Sequence, residues 1–133
     1  MSTLVDTSAW VEYLRDTNSE ICNTVDRMIE SDQPIATTDI VIMELLSGAS
    51  TSEIRGKIWA FMNRCSMLPT RPLFDYEVAA ELYVRCRRSG FTPANSNDLL
   101  VAAVAIGKKV PLLAADSDFE RIAAVSSLRL HAA

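Results

Sequence analysis

The chain predicts an α/β fold: one domain over residues 1–133, built as an α/β/α sandwich. Its central sheet would be mostly parallel, with about five strands and helices on both faces. Three observations predict it. Short apolar runs alternate with segments of helical period, the order that builds a parallel sheet covered on both sides. Cap and turn residues fall between them. The 133 residues are 49% hydrophobic, enough for one sizeable core in one ordinary domain.

The elements follow in order. Leu4-Val5 reads as a short buried strand, after which Thr7 and Ser8 offer caps for a helix through Trp10, Val11, Tyr13 and Leu14. Ile21, Val25, Met28 and Ile29 keep a helical period over Ser19 to Glu30. Pro34-Ile35-Ala36 forms a brief second strand. Asp39 caps a helix to Leu46, with Gly48 suited to its end. Ser52 to Arg64 is helical, and Met67-Leu68 is a third strand closed by Pro69 and Pro72. Tyr76 to Arg88 is helical, ending near Gly90. Asn95 or Ser96 caps an apolar helix that ends at Gly107. Val110 to Ala115 is a fourth strand, Phe119 to Val125 a helix, and Leu128-Arg129-Leu130 a last strand. No repeat, linker or low-complexity tract interrupts the series.

Composition narrows the function. A net charge of −4 argues against general nucleic-acid coating, yet it leaves room for a local basic rim. The odd number and apolar contexts of Cys22, Cys65 and Cys86 point to reduced structural thiols in a cytoplasmic protein. Met1-Ser2-Thr3 shows no signal-peptide pattern, and the longest apolar run, Leu99 to Ile106, is far too short to span a bilayer. The single histidine, His131, lies at a fraying terminus, which removes His-based triads and His-rich zinc sites.

Four carboxylates carry the chemistry: Asp6, Glu44, Asp98 and Asp116. Each sits in or at the edge of an apolar segment. A buried lone carboxylate costs several kcal/mol, so such groups neutralise, pair or bind a cation. With few basic residues beside them, the acids point to a hard divalent metal. Asp6 and Asp116 follow strands one and four, where open α/β sheets bind ligands. Each acid has a plainer reading as well. Asp6 suits a helix cap, Asn95-x-x-Asp98 resembles a capping box, and either Asp116 or Asp118 suits a cap for the last helix. Glu44 is hardest to dismiss, because its helix is apolar nearly all round and offers no basic neighbour at the next turn. Trp59, Phe61 and Met62 read as core or interface. Arg85, Arg87 and Arg88 read first as a solvated helix end, and otherwise as a basic rim for an anionic substrate.

The motifs Val5-Asp6-Thr7-Ser8-Ala9-Trp10, Met43-Glu44-Leu45-Leu46-x-Gly48, Asn97-Asp98-Leu99-Leu100-Val101-Ala102-Ala103 and Asp116-Ser117-Asp118-Phe119 together resemble the PIN domain. The likeness is greatest to the VapC-type toxins of toxin–antitoxin pairs. The order and spacing cover almost the whole chain, although each motif alone is weak. The resemblance implies a metal-dependent endoribonuclease that hydrolyses RNA phosphodiester bonds with a water activated by Mg²⁺, for which Mn²⁺ can substitute. It implies Asp6, Glu44, Asp98 and Asp116 as the metal-binding and catalytic quartet, with Glu44 acting directly or through water. Asp118 stands where relatives often carry a further acid. Ser8 stands where the family has a hydroxyl near the metal, and Asn97 adjoins Asp98. Arg85, Arg87, Arg88 and Arg121 are the candidate RNA contacts. One departure is Ala114, where many members carry Thr or Ser. The resemblance also implies a homodimer and a VapB-type antitoxin through which any DNA contact is made. The substrate would be an RNA such as tRNA or rRNA, and no membrane is involved. Two other readings remain: a non-catalytic PIN-like module that only binds a partner, and an acidic-pocket phosphoacceptor domain. The second lacks a Lys ending a late strand, since Lys108 and Lys109 precede the fourth.

Overall fold

The computed structural model describes residues 1–132. Its elements are β1 (Thr3–Val5), α1 (Thr7–Leu14), α2 (Glu20–Glu30), β2 (Ile35–Thr37), α3 (Asp39–Ser47), α4 (Ser52–Met62), β3 (Ser66–Met67), α5 (Phe74–Arg88), α6 (Ser96–Lys108), β4 (Leu112–Leu113) and α7 (Asp118–Ala124). The sheet order is β3-β2-β1-β4 and every pairing is parallel. Leu4 sits opposite both Ala36 and Leu112, so β1 is the central strand of the core. Its Leu4 and Val5 are fully buried, with Trp10, Val25, Val41, Val101, Leu112 and Phe119 packed around them. Burial on both faces explains why these strands read as short apolar runs rather than as alternating patterns.

The chain steps from β1 through β2 to β3, then returns past β1 to β4. With this strand order, the right-handed crossover rule assigns α1–α4 to one face and α5–α7 to the other. The switch in direction falls between β1 and β4, beside the strand ends that precede Asp6 and Asp116.

The expected fifth strand is reduced. Leu130 makes only an isolated parallel bridge to Leu112, through Leu112 N–H to Arg129 O (2.9 Å) and His131 N–H to Leu112 O (2.8 Å). Among the described residues the sheet therefore has four strands, because β4 is only two residues long and offers this segment a single bridge. Those same bonds tie down the residues around His131, so the end does not fray there.

Helix ends also differ from expectation. α6 stops at Lys109, in the left-handed region (φ 56°), rather than at Gly107. Gly107 instead makes room for the Arg71 guanidinium, which a Cβ there would displace from its place beside Asp75. Arg71 in turn pairs with the fully buried Asp75, its Nη2 2.9 Å from Oδ1 and its backbone N–H 2.7 Å from Oδ2. The start of α5 thus meets the end of α6, and the two pack as an antiparallel helical hairpin. Gly48, at the end of α3, has ordinary right-handed geometry (φ −87°) and makes no left-handed cap. Cys22, Cys65 and Cys86 are free thiols, and burial pushes Cys65 up to about 11, which leaves it inert at neutral pH.

Candidate functional site

Asp6 leaves β1 and caps α1. Its backbone N–H bonds Leu113 O at 2.9 Å, which locks it to the end of β4. Its Oδ2 accepts from Ser8 N–H (3.0 Å) and Ser8 Oγ–H (2.6 Å). The cap reading is therefore correct, but it accounts for one oxygen only. Oδ1 is buried and has no hydrogen-bond partner. Ser8 Oγ also accepts from Ala115 N–H at 2.9 Å, so one hydroxyl ties the first acid to the loop carrying the fourth.

Asp98 stands in the first turn of α6. Asn95 caps that helix by accepting from Asn97 N–H at 2.9 Å. Asp98 as a residue is 9% exposed. Burial, then the charges of Asp6, Asp116, Glu44 and Asp118, push its pKa up to about 7. Burial likewise raises Asp6, against the two Ser8 donors and with Glu44 adding to the rise. Asp116 is exposed and Asp118 half-buried, and Asp116 Oδ1 accepts from Asp118 N–H at 2.9 Å. Oxygens of Asp98, Asp116 and Asp118 lie within 4.8 Å of one another.

Glu44 is half-buried, not fully enclosed as its apolar helix suggests. Thr7 Oγ1 donates to its Oε1 at 2.7 Å and Asn97 Nδ2 to its Oε2 at 3.4 Å. Asn97 thus stands beside the acids as expected. Thr7 was visible in the sequence only as a cap, because nothing local marks a contact across 37 residues.

The acids therefore converge at the switch in strand order, and among the described residues no lysine or arginine pairs with Asp6 or Asp98. Their donor set is all oxygen, and one buried oxygen is left without a partner. That fits a hard divalent cation.

The arginines lie elsewhere. Arg85, Arg87 and Arg88 are exposed at the end of α5. Arg85 pairs with Glu81 at 3.3 Å and donates to Val125 O at 3.3 Å. Arg87 donates to the Tyr83 hydroxyl at 3.2 Å, and Arg121 stacks 5.0 Å over Phe91. Phe61 packs on Trp10 and Tyr13, Met62 is buried, and Trp59 is 41% exposed.

A family model for the PIN domain matches residues 3–125. The chain belongs to the PIN-domain family. Among PIN domains it is 35% identical over 127 residues to ribonuclease VapC11 of Mycobacterium tuberculosis, a match covering 95% of each chain. It is 28% identical over 134 residues to ribonuclease VapC5 of the same organism, covering 96% of this chain and 92% of that one. Its fold matches VapBC2 from Rickettsia felis bound to a DNA fragment from their promoter, with TM-score 0.76, 22% identity and 98% of each chain covered. It also matches VapC20 of Mycobacterium tuberculosis, a Sarcin-Ricin loop cleaving toxin, with TM-score 0.69, 24% identity, and 96% and 99% covered. The phosphoacceptor reading falls with this placement. Among the described residues no helix of this PIN domain is long and apolar enough to cross a membrane.

Proposed function

We propose that this PIN domain is a Mg²⁺- or Mn²⁺-dependent endoribonuclease, the toxin of a VapBC-type pair acting in the cytoplasm. The observation that carries the reading is the burial of unpaired acids together. Asp6 keeps one oxygen without a partner, and burial, with four other carboxylates adding to it, pushes the Asp98 pKa up to about 7. Such a cluster is unfavourable alone and favourable around a dication. The VapC ribonucleases to which the chain is related support RNA as the substrate class, with tRNA or rRNA as the candidates.

Asp6 and Asp116, with Asp98 directly or through water, would hold the ion, and Asp118 is placed to add an oxygen. When bound, the ion would offset charge developing on the phosphate and make a water easier to deprotonate. Ser8 holds Asp6 against the Asp116 loop. Glu44, fixed by Thr7 and Asn97, orients the attacking water or helps hold a second ion. Arg85, Arg87, Arg88 and Arg121 would contact the RNA backbone.

The antitoxin would bind the cleft between α1, α3 and α4. The cleft is about 290 Å³ and is lined by Val11, Leu14, Leu45, Ile54 and Ile58, with Glu44 at its edge. Arg15 and Lys57 border it, so it suits an apolar tail with acidic flanks and one basic side chain for the acids. Contact with DNA would come through the antitoxin. The exposed stripe Tyr76, Tyr83 and Val84 on α5 would serve a homodimer.

The test is cleavage of total RNA by antitoxin-free protein with Mg²⁺, Mn²⁺ or EDTA, beside Asp6→Asn. Discrete cuts that need metal and vanish in the variant are expected. Cutting that survives in Asp6→Asn, or none with any metal, would refute the reading and favour a partner-binding module.

A further inference from the structure

We infer that Thr7 is the positioning residue for Glu44, an assignment that rests on the nuclease reading and sharpens it. Glu44 carries its carboxylate on three rotatable bonds and is only half-buried, so its helix alone does not fix it. Two donors from different elements do. Thr7, the first residue of α1, donates to Oε1 at 2.7 Å, and Asn97, in the first turn of α6, donates to Oε2 at 3.4 Å. The first distance is that of a strong hydrogen bond to a charged oxygen, while the second lies beyond the usual N–H···O range. Thr7 therefore supplies most of the hold.

Each Glu44 oxygen keeps a second acceptor position. The carboxylate is thus immobilised yet still able to accept from a water. The Thr7 hydroxyl donates to Glu44 and to none of Asp6, Asp98, Asp116 or Asp118, so losing it leaves those acids in place and frees Glu44. Thr7 is placed to act on turnover rather than on ion affinity.

Thr7→Val removes the hydroxyl and keeps the branched shape, whereas Thr7→Ser keeps the hydroxyl. Each is compared in wild-type and Glu44→Ala backgrounds. The readouts are cleavage of a single-stranded oligoribonucleotide that the wild type cuts, Mn²⁺ affinity by calorimetry, and melting of the metal-free protein. Thr7→Val is expected to lower kcat about tenfold, the scale of a misplaced catalytic group. KM and the Mn²⁺ Kd should stay within about twofold of the wild type, since Asp6, Asp98, Asp116 and Asp118 keep their places and Glu44 acts here through the attacking water. Thr7→Ser should retain most activity, and Thr7→Val should add no loss to Glu44→Ala. Unchanged cleavage in Thr7→Val, an equal loss in both backgrounds, or a fall in Mn²⁺ affinity matching that in kcat would each overturn the assignment. If the wild type binds Mn²⁺ and cuts no RNA, the nuclease reading fails, and the link is judged by melting alone. A Tm loss for Thr7→Val that disappears in Glu44→Ala upholds it, and equal losses refute it.

Discussion

Two buried aspartates of this PIN domain stand in opposite company. Asp75, 1% exposed at the start of α5, accepts from the backbone and guanidinium of Arg71. Asp98, 9% exposed at the start of α6, faces Asp6, Asp116, Glu44 and Asp118. Burial costs both groups. In the first case it is offset inside the chain by a charge-assisted bond and a backbone donor. In the second it is compounded by like charges, so the offset must come from a proton or a cation. A carboxylate buried with its counter-charge holds the fold together, while one buried among its own kind marks a site.

Removing a charge should therefore have opposite effects in the two places. Asp98→Asn takes an oxygen ligand from the cluster, and cleavage should fall by about 10²-fold or more, given the several kcal/mol that metal chemistry supplies. The same variant relieves repulsion, so the metal-free protein should melt a few degrees higher than the wild type. Mn²⁺ should raise the Tm of the wild type and leave that of Asp98→Asn nearly unmoved. A metal-free Asp98→Asn that melts lower, with activity intact, would erase the distinction between the two aspartates. Asp75→Asn should do the reverse. It breaks a pair whose acid is buried and whose arginine is 41% exposed, so the stranded charge remains partly solvated. A loss of about 2–3 kcal/mol follows, near the low end for breaking such pairs. That corresponds to roughly 10 °C in Tm for a domain of this size. RNA cleavage per folded molecule should be unchanged.

The sequence carried one side of this contrast better than the other. Asp6, Asp98 and Asp116 were legible because strand ends and apolar helix starts are local features, and neighbouring ends of parallel strands meet at the switch in strand order. Asp75 was overlooked, because it sits among Phe74, Tyr76 and Glu77 and looks like an ordinary first-turn acid. Arg71 four residues earlier was the available signal, since that spacing brings the pair together. Gly107 was misread as a helix stop for a related reason: its partner, Arg71, is 36 positions away in sequence. Ser8 was placed near the acids, yet its bridge to Ala115 spans 107 residues and no pattern could reveal it. The fifth strand failed differently. Leu128-Arg129-Leu130 has the right alternation, but pairing depends on how far the neighbouring β4 extends, and β4 is only two residues long.

The pH dependence of stability is the most direct measure of what burial and like charges together cost Asp98. In the fold Asp98 titrates near 7, against 3.8 for a free carboxyl. Between those values the native state holds a proton that the unfolded chain has released, so stability must fall as pH rises. Asp6, raised by burial, contributes in the same direction. Asp39 cannot mask the trend. Burial works against its charge, but the Thr70 and Thr38 donors outweigh it and hold its carboxyl below the usual value, so it matters only in more acidic solution. Urea denaturation in EDTA should then show stability declining from about pH 4 to pH 7 and levelling above that, with a flatter profile for Asp98→Asn. Ion binding needs the ionised acids, so saturating Mn²⁺ should oppose the decline and stabilise most at the alkaline end. Stability that rises across this window in EDTA would mean that Asp98 is ionised at low cost, and that its neighbours do not act on it as a cluster.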